Sequence, residues 1–110
     1  MDVDKVRNSI DQALTLRSRP LRREELEEVG AALRRHRDAL LPGVREHVDD
    51  MWRGSLEWYR SRSTLDRVES SGDHPLGSAV LGDLTHVMQL ARDCRWLLEL
   101  HSTAERAAAP

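Results

Sequence analysis

A chain of 110 residues is the size of one domain and buries roughly two-thirds of the surface of its unfolded form, so one core is expected. Charged residues make up 33% with no phenylalanine, which suits solvated helix faces, and a lone cysteine excludes an internal disulfide or a cysteine-based zinc site. The formal net charge of −2 exerts no overall pull on a phosphate backbone.

The opening "MDVDKVRNSI" has no apolar run of the signal-peptide kind, and no later stretch approaches the ~20 uncharged apolar residues of a membrane span. A soluble, cytoplasmic protein is the expectation. Sixteen arginines against the single Lys5, with one isoleucine and one asparagine, leave residues with AT-rich codons nearly absent. That describes a genome and not a function.

Val3, Val6, Ile10, Ala13 and Leu14 recur at helical spacing behind Asp2, a good N-cap, so residues 3–17 read as a first amphipathic helix. "RSRPLRR" breaks it, because Pro20 fixes its own φ and disfavours the helical region for Arg19. Leu26, Val29, Leu33 and Leu40 mark a second helix over 21–40, and Glu24, Glu25, Glu27 and Glu28 suit the positive end of its dipole. It is expected to end at "LPG", with Pro42 opening the next helix.

Val44, Met51, Trp58 and Leu65 lie seven apart, so a continuous third helix over 43–70 is the economical reading, although Gly54 weakens it by about 1 kcal/mol. The rival reading breaks it near "SRST", with Ser63 and Asp66 as a loose capping box. "SSGDHP" is a loop, and 75–101 forms the fourth helix, with Val80, Leu84, Val87, Ala91, Cys94 and Leu98 on one face and a frayed tail over 102–110. The fold expected is all-α: an up-and-down bundle of about four helices built on a long antiparallel hairpin of helices 3 and 4.

Cys94 falls in the core register of the last helix, so it is expected to be buried and chemically quiet despite Arg92 and Arg95 nearby. Two carboxylate–histidine spacings invite a metal: Glu46, His47 and Asp50 on one face, and Asp83 with His86. Helical di-metal sites draw ligands from several facing helices, and the first two helices offer no matching inward acid, so no metal and no cofactor are expected. No phosphate-binding glycine loop, nucleophile elbow or H-E-x-x-H occurs, and no catalytic residue is identified.

The arginine clusters, with Arg17, Arg19, Arg22 and Arg23 foremost, could follow a nucleic-acid backbone. Acids follow them closely, and Arg34–Asp38 and Arg45–Asp49 stand at i, i+4, so solvated, paired faces are favoured. Leu90, Trp96, Leu97 and Leu100 spread around the last helix beyond its main stripe, and Trp52 lies off the stripe of its own helix. A helix apolar all round is covered all round, either by the first helix or by a second chain.

The segments "IDQALTLRSRPL", "LRRHRDALLPGV", "WYRSRSTLDRV" and "LARDCRWLLEL" resemble a family of small actinobacterial proteins known only as a domain of unknown function. The likeness runs from about Val3 to Leu100 and is most specific in the last segment, and the arginine-rich composition agrees with a high-GC origin. The resemblance implies no catalytic residue, cofactor or substrate and supports the helical reading.

The leading functional expectation is a non-enzymatic interaction or regulatory module, as a homodimer or with a protein partner. Its interface would comprise Trp52, Leu90, Trp96, Leu97 and Leu100. The alternative is a nucleic-acid-associated regulator using Arg17, Arg19, Arg22 and Arg23, with a small-molecule or metal-dependent enzyme behind both.

Overall fold

The computed structural model describes residues 2–16, 22–70 and 80–108. It contains four helices, α1 (Val3–Thr15), α2 (Arg23–Asp49), α3 (Leu56–Ser70) and α4 (Val80–Ala108), and no strand among the described residues. The all-α bundle is as expected, and α1 starts as its cap predicts, with Asp2 Oδ1 accepting from the amides of Asp4 at 3.1 Å and Lys5 at 3.3 Å.

The central corner of the chain differs from expectation. The second helix does not stop at residue 40, and no helix spans 43–70. Instead α2 runs through Pro42 to Asp49. A proline there removes one i→i−4 hydrogen bond, leaving the Asp38 carbonyl without its usual donor. Both residues are exposed, so water can reach that carbonyl.

What carries the helix across is burial. Leu26, Val29, Leu33, Arg37, Leu40, Val44 and Val48 form one uninterrupted buried stripe spaced by three and four. The break comes later, over 50–55, where Gly54 takes φ +93°, a left-handed conformation that suits glycine. Ser55 then caps α3, its Oγ accepting from the Trp58 amide at 3.0 Å. Helix α3 is continuous through "SRST", so Ser63 and Asp66 cap nothing. At the other end of the chain, α4 continues to Ala108 where a frayed tail from 102 was expected.

Contacts along the helices give their directions. Arg23 meets Asp83, Gly30 meets Val87, Leu33 meets Cys94, and the last turns of α2 lie beside Ala104 and Ala107, so α2 and α4 run parallel. Val3 beside His101 and Ser102, with Ile10 beside Leu98, makes α1 antiparallel to α4 and so to α2, which it meets where Ser9 reaches His36; Arg45 on Glu69 with Arg62 on Asp49 makes α3 antiparallel to α2. The connectivity is therefore up-down-up-down. The dominant packing pair is α2 with α4 and not an α3/α4 hairpin.

Helix α4 buries a wide face comprising Val87, Met88, Leu90, Ala91, Cys94, Leu97 and Leu98, because both α2 and α1 pack along it. Gly30 permits a close approach: a Cβ there would lie 3.3 Å from Val87 Cγ2. One turn on, the Cys94 thiol is buried and donates to the Leu33 carbonyl oxygen at 3.3 Å. Burial, followed by the adjacent Asp93 carboxylate, pushes this thiol up to about 12, leaving no reactive thiolate near neutral pH. At the α1/α2 seam, Ser9 Oγ lies 3.1 Å from His36 Nε2. Desolvation, then the neighbouring Arg35 charge, holds the His36 imidazolium pKa below its ordinary 6.5.

Substitutions at the corner should act in opposite directions. Pro42→Ala restores a helical amide on an exposed face and should raise unfolding free energy by about 1 to 3 kcal/mol in urea titrations. Gly54→Ala, with open space around its Cβ but a left-handed backbone, should lower it by about 1 to 2 kcal/mol.

Cys94 should resist a thiol reagent in the native protein and react on unfolding. Cys94→Ala should cost about 1 kcal/mol.

His36 stays neutral in the fold at pH values where the unfolded chain takes up a proton. Its contribution is therefore neutral well above pH 6.5 and destabilising as pH falls through 6.5 towards the lower folded value. Between pH 7.5 and 5.5 the melting temperature of the parent chain should drop more than that of His36→Gln.

Candidate interaction surface

The break between α2 and α3 places large apolar side chains in water. Trp52, in the turn, is 84% exposed, and Leu56 and Tyr59, at i, i+3 on one face of α3, are 64% and 67% exposed. Trp58 lies half-buried against the core, with its ring edge-on to Tyr59 at a centroid distance of 6.1 Å and an interplanar angle of 77°. Around them stand four exposed charges, Asp50, Arg53, Glu57 and Arg60, none of which forms an ion pair among the described residues.

Of the five side chains expected at an interface, only Trp52 is fully open. Leu90 and Leu97 are buried within the single chain at 4% and 0% exposure, which corrects their assignment to an association surface. Trp96 and Leu100 are half-buried and pack against the same core. The reason is coverage: α1 runs antiparallel along the C-terminal half of α4, with Val3 beside His101 and Ser102 and Ile10 beside Leu98. The first helix therefore takes up apolar circumference that a second chain could otherwise have covered. Leu56 and Tyr59 went unrecognised because a continuous 43–70 helix hides the start of α3, although Gly54-Ser55 is a legible break and cap.

Of the four arginines considered for nucleic acid, Arg17 and Arg19 lie outside the described residues. Arg22 lies 4.0 Å from Glu24. Arg23 reaches Asp83 on α4 at 2.8 Å and Glu27 at 3.5 Å, so its charge is committed inside the fold. The expected i, i+4 pairs form differently: Asp38 takes Arg37 at 3.0 Å, Arg45 crosses to Glu69 at 2.7 Å, and Asp49 takes Arg62 at 3.4 Å.

Glu46, His47 and Asp50 line a shallow surface beside Ala104 and Ala107, and Asp83 is taken by Arg23. Among the described residues, no three of the His, Cys, Asp and Glu side chains come together as metal ligands. No helix among them is long and apolar enough to cross a membrane.

No curated protein and no solved structure matches the chain. Residues 4–106 match a family described as a family of unknown function (DUF6415), which spans all four helices. With nearly its whole length matched, the chain belongs to this family of unknown function, DUF6415.

Proposed function

We propose that this chain is a non-enzymatic helical interaction module that associates with a second copy of itself through the corner bearing Trp52, Leu56 and Tyr59. The observation that carries this reading is the concentration of three large, open apolar side chains within eight residues of a chain whose other large apolar side chains are mostly covered. Together they expose roughly 400 to 500 Å², near the upper end of the largest patch usual on a monomer.

A second copy is favoured by the surrounding charge. Asp50 and Glu57 balance Arg53 and Arg60, and none of the four is in an ion pair among the described residues. A two-fold interface brings a surface against itself, so equal numbers of both signs can pair across it without leaving an excess charge. The area is below the ~800 Å² per partner of a standard stable complex, which points to exchange at micromolar concentrations or weaker. A nucleic-acid role ranks second, because Arg22 and Arg23 lie beside acids.

Light scattering on a sizing column, from ten to several hundred micromolar, tests the proposal. The parent chain should show a concentration-dependent rise towards dimer mass. Trp52→Ala with Tyr59→Ala should weaken association at least tenfold with unchanged far-UV helix content, since neither side chain supports the core. A monomer across the whole range, or equal association by the double variant, overturns it.

A further inference from the structure

A groove of about 380 Å³ runs between α1 and α4 and shares no lining residue with the aromatic corner. Its apolar floor is Ile10 and Leu98. Three arginines line it, Arg7 from α1 and Arg95 and Arg106 from α4, with two carboxylates, Asp11 and Glu99, between the helices.

These charges do not neutralise one another. Arg7–Asp11 and Arg95–Glu99 both stand at i, i+4, the spacing at which Arg23–Glu27 and Arg62–Asp66 each close to 3.5 Å elsewhere in the same fold. In the groove neither pair closes within 4.0 Å, and none of the three arginines has a carboxylate that near among the described residues. Arg106 instead approaches the Thr103 hydroxyl at 3.5 Å, and that hydroxyl donates to the Glu99 carbonyl at 3.0 Å. Three guanidinium forks, unspent on internal acids, therefore border one depression with an apolar floor.

We propose that this groove binds a small oxyanion, a phosphate or carboxylate, whose body also carries hydrogen-bond donors. Planar guanidinium groups hold such anions through paired N–H bonds. Because α1 is antiparallel to α4, with Val3 beside Ser102 and Arg106 and Ile10 beside Leu98, Arg7 stands between Arg95 and Arg106 along the groove, and its fork and that of Arg106 face the stretch proposed to receive the anion. Arg95 is eleven residues before Arg106, about 16 Å along the helix, and marks the opposite end. Asp11 and Glu99 accept hydrogen bonds from hydroxyl or amine groups on the body of the ligand. The same two acids repel a continuous phosphate chain, so the groove suits a small molecule and not a nucleic acid.

Inorganic phosphate, acetate and glycerol phosphate, titrated by calorimetry and thermal shift at constant ionic strength with chloride, are the probes. Saturable stabilisation by phosphate or acetate is expected. The doubly substituted Arg7→Gln, Arg106→Gln chain should lose at least tenfold in affinity, while the Arg53→Gln, Arg60→Gln control should keep it. Glycerol phosphate should bind several-fold tighter than inorganic phosphate, and Asp11→Asn with Glu99→Gln should abolish that difference. All substituted side chains are exposed, so helix content by circular dichroism should hold throughout. Absence of saturation to tens of millimolar, saturation that survives loss of Arg7 and Arg106, or equal binding of the two phosphates overturns the proposal.

Discussion

Where α2 meets α4, Gly30 has no side chain to keep Val87 away, and the two helices come into direct contact while running in the same direction. In an up-down-up-down bundle, parallel helices sit diagonally, and a square arrangement would hold them apart. Contact across the diagonal flattens the section: α1 packs on both members of the central pair, whereas α3 packs on α2 and reaches α4 through Arg67 on Asp93. The overall extents of 45 × 26 × 20 Å follow, the longest matching the roughly 40 Å of α2 and α4 at 1.5 Å per residue.

That arrangement also determines where charge is buried. Helix α4 places Asp83 and Asp93 inside the fold, and an arginine from a different helix answers each. Arg23 of α2 holds Asp83 at 2.8 Å, and Arg67 of α3 holds Asp93 at 3.1 Å, with the Gln89 amide donating to Asp93 at 3.0 Å. Removing either arginine would take a cation from beside a buried carboxylate and should weaken the fold. Arg37 is itself buried, forked onto Asp38 in the stripe that faces the core. Much of the arginine excess is thus structural, tying helices together at positions where lysine would lose the planar fork.

Helical periodicity and caps were legible in the sequence: Asp2, the apolar stripes, the burial of Cys94 and the all-α class rest on local chemistry. The corner was not, because two local rules compete there. Proline argues for a boundary at 41–42, whereas the stripe Leu40, Val44, Val48 continues in phase across it, and burial of that stripe outweighs one lost hydrogen bond. The sevenfold spacing of Val44, Met51, Trp58 and Leu65 straddles two helices and carries no helical meaning across Gly54. Coverage of Leu90 and Leu97 was illegible for another reason: how much of a helix its neighbours cover depends on tertiary packing that no window of sequence contains.

The up-down-up-down order brings the start of α1, the end of α2, the start of α3 and the end of α4 to one end of the bundle. The aromatic corner lies there, and so does the Arg106 end of the α1/α4 groove. The clamps that hold α4 lie elsewhere, at Asp83 and Asp93, and so do the α2/α4 contacts of Gly30 with Val87 and Leu33 with Cys94. Trp52, Tyr59, Arg7 and Arg106 are all exposed and take no part in either. Exposed positions away from core contacts and buried pairs typically change stability by no more than about 0.5 kcal/mol when substituted. Loss of association or of anion binding in those variants therefore reports on the surface and not on the fold, whereas the same loss at Leu97 would confound the two.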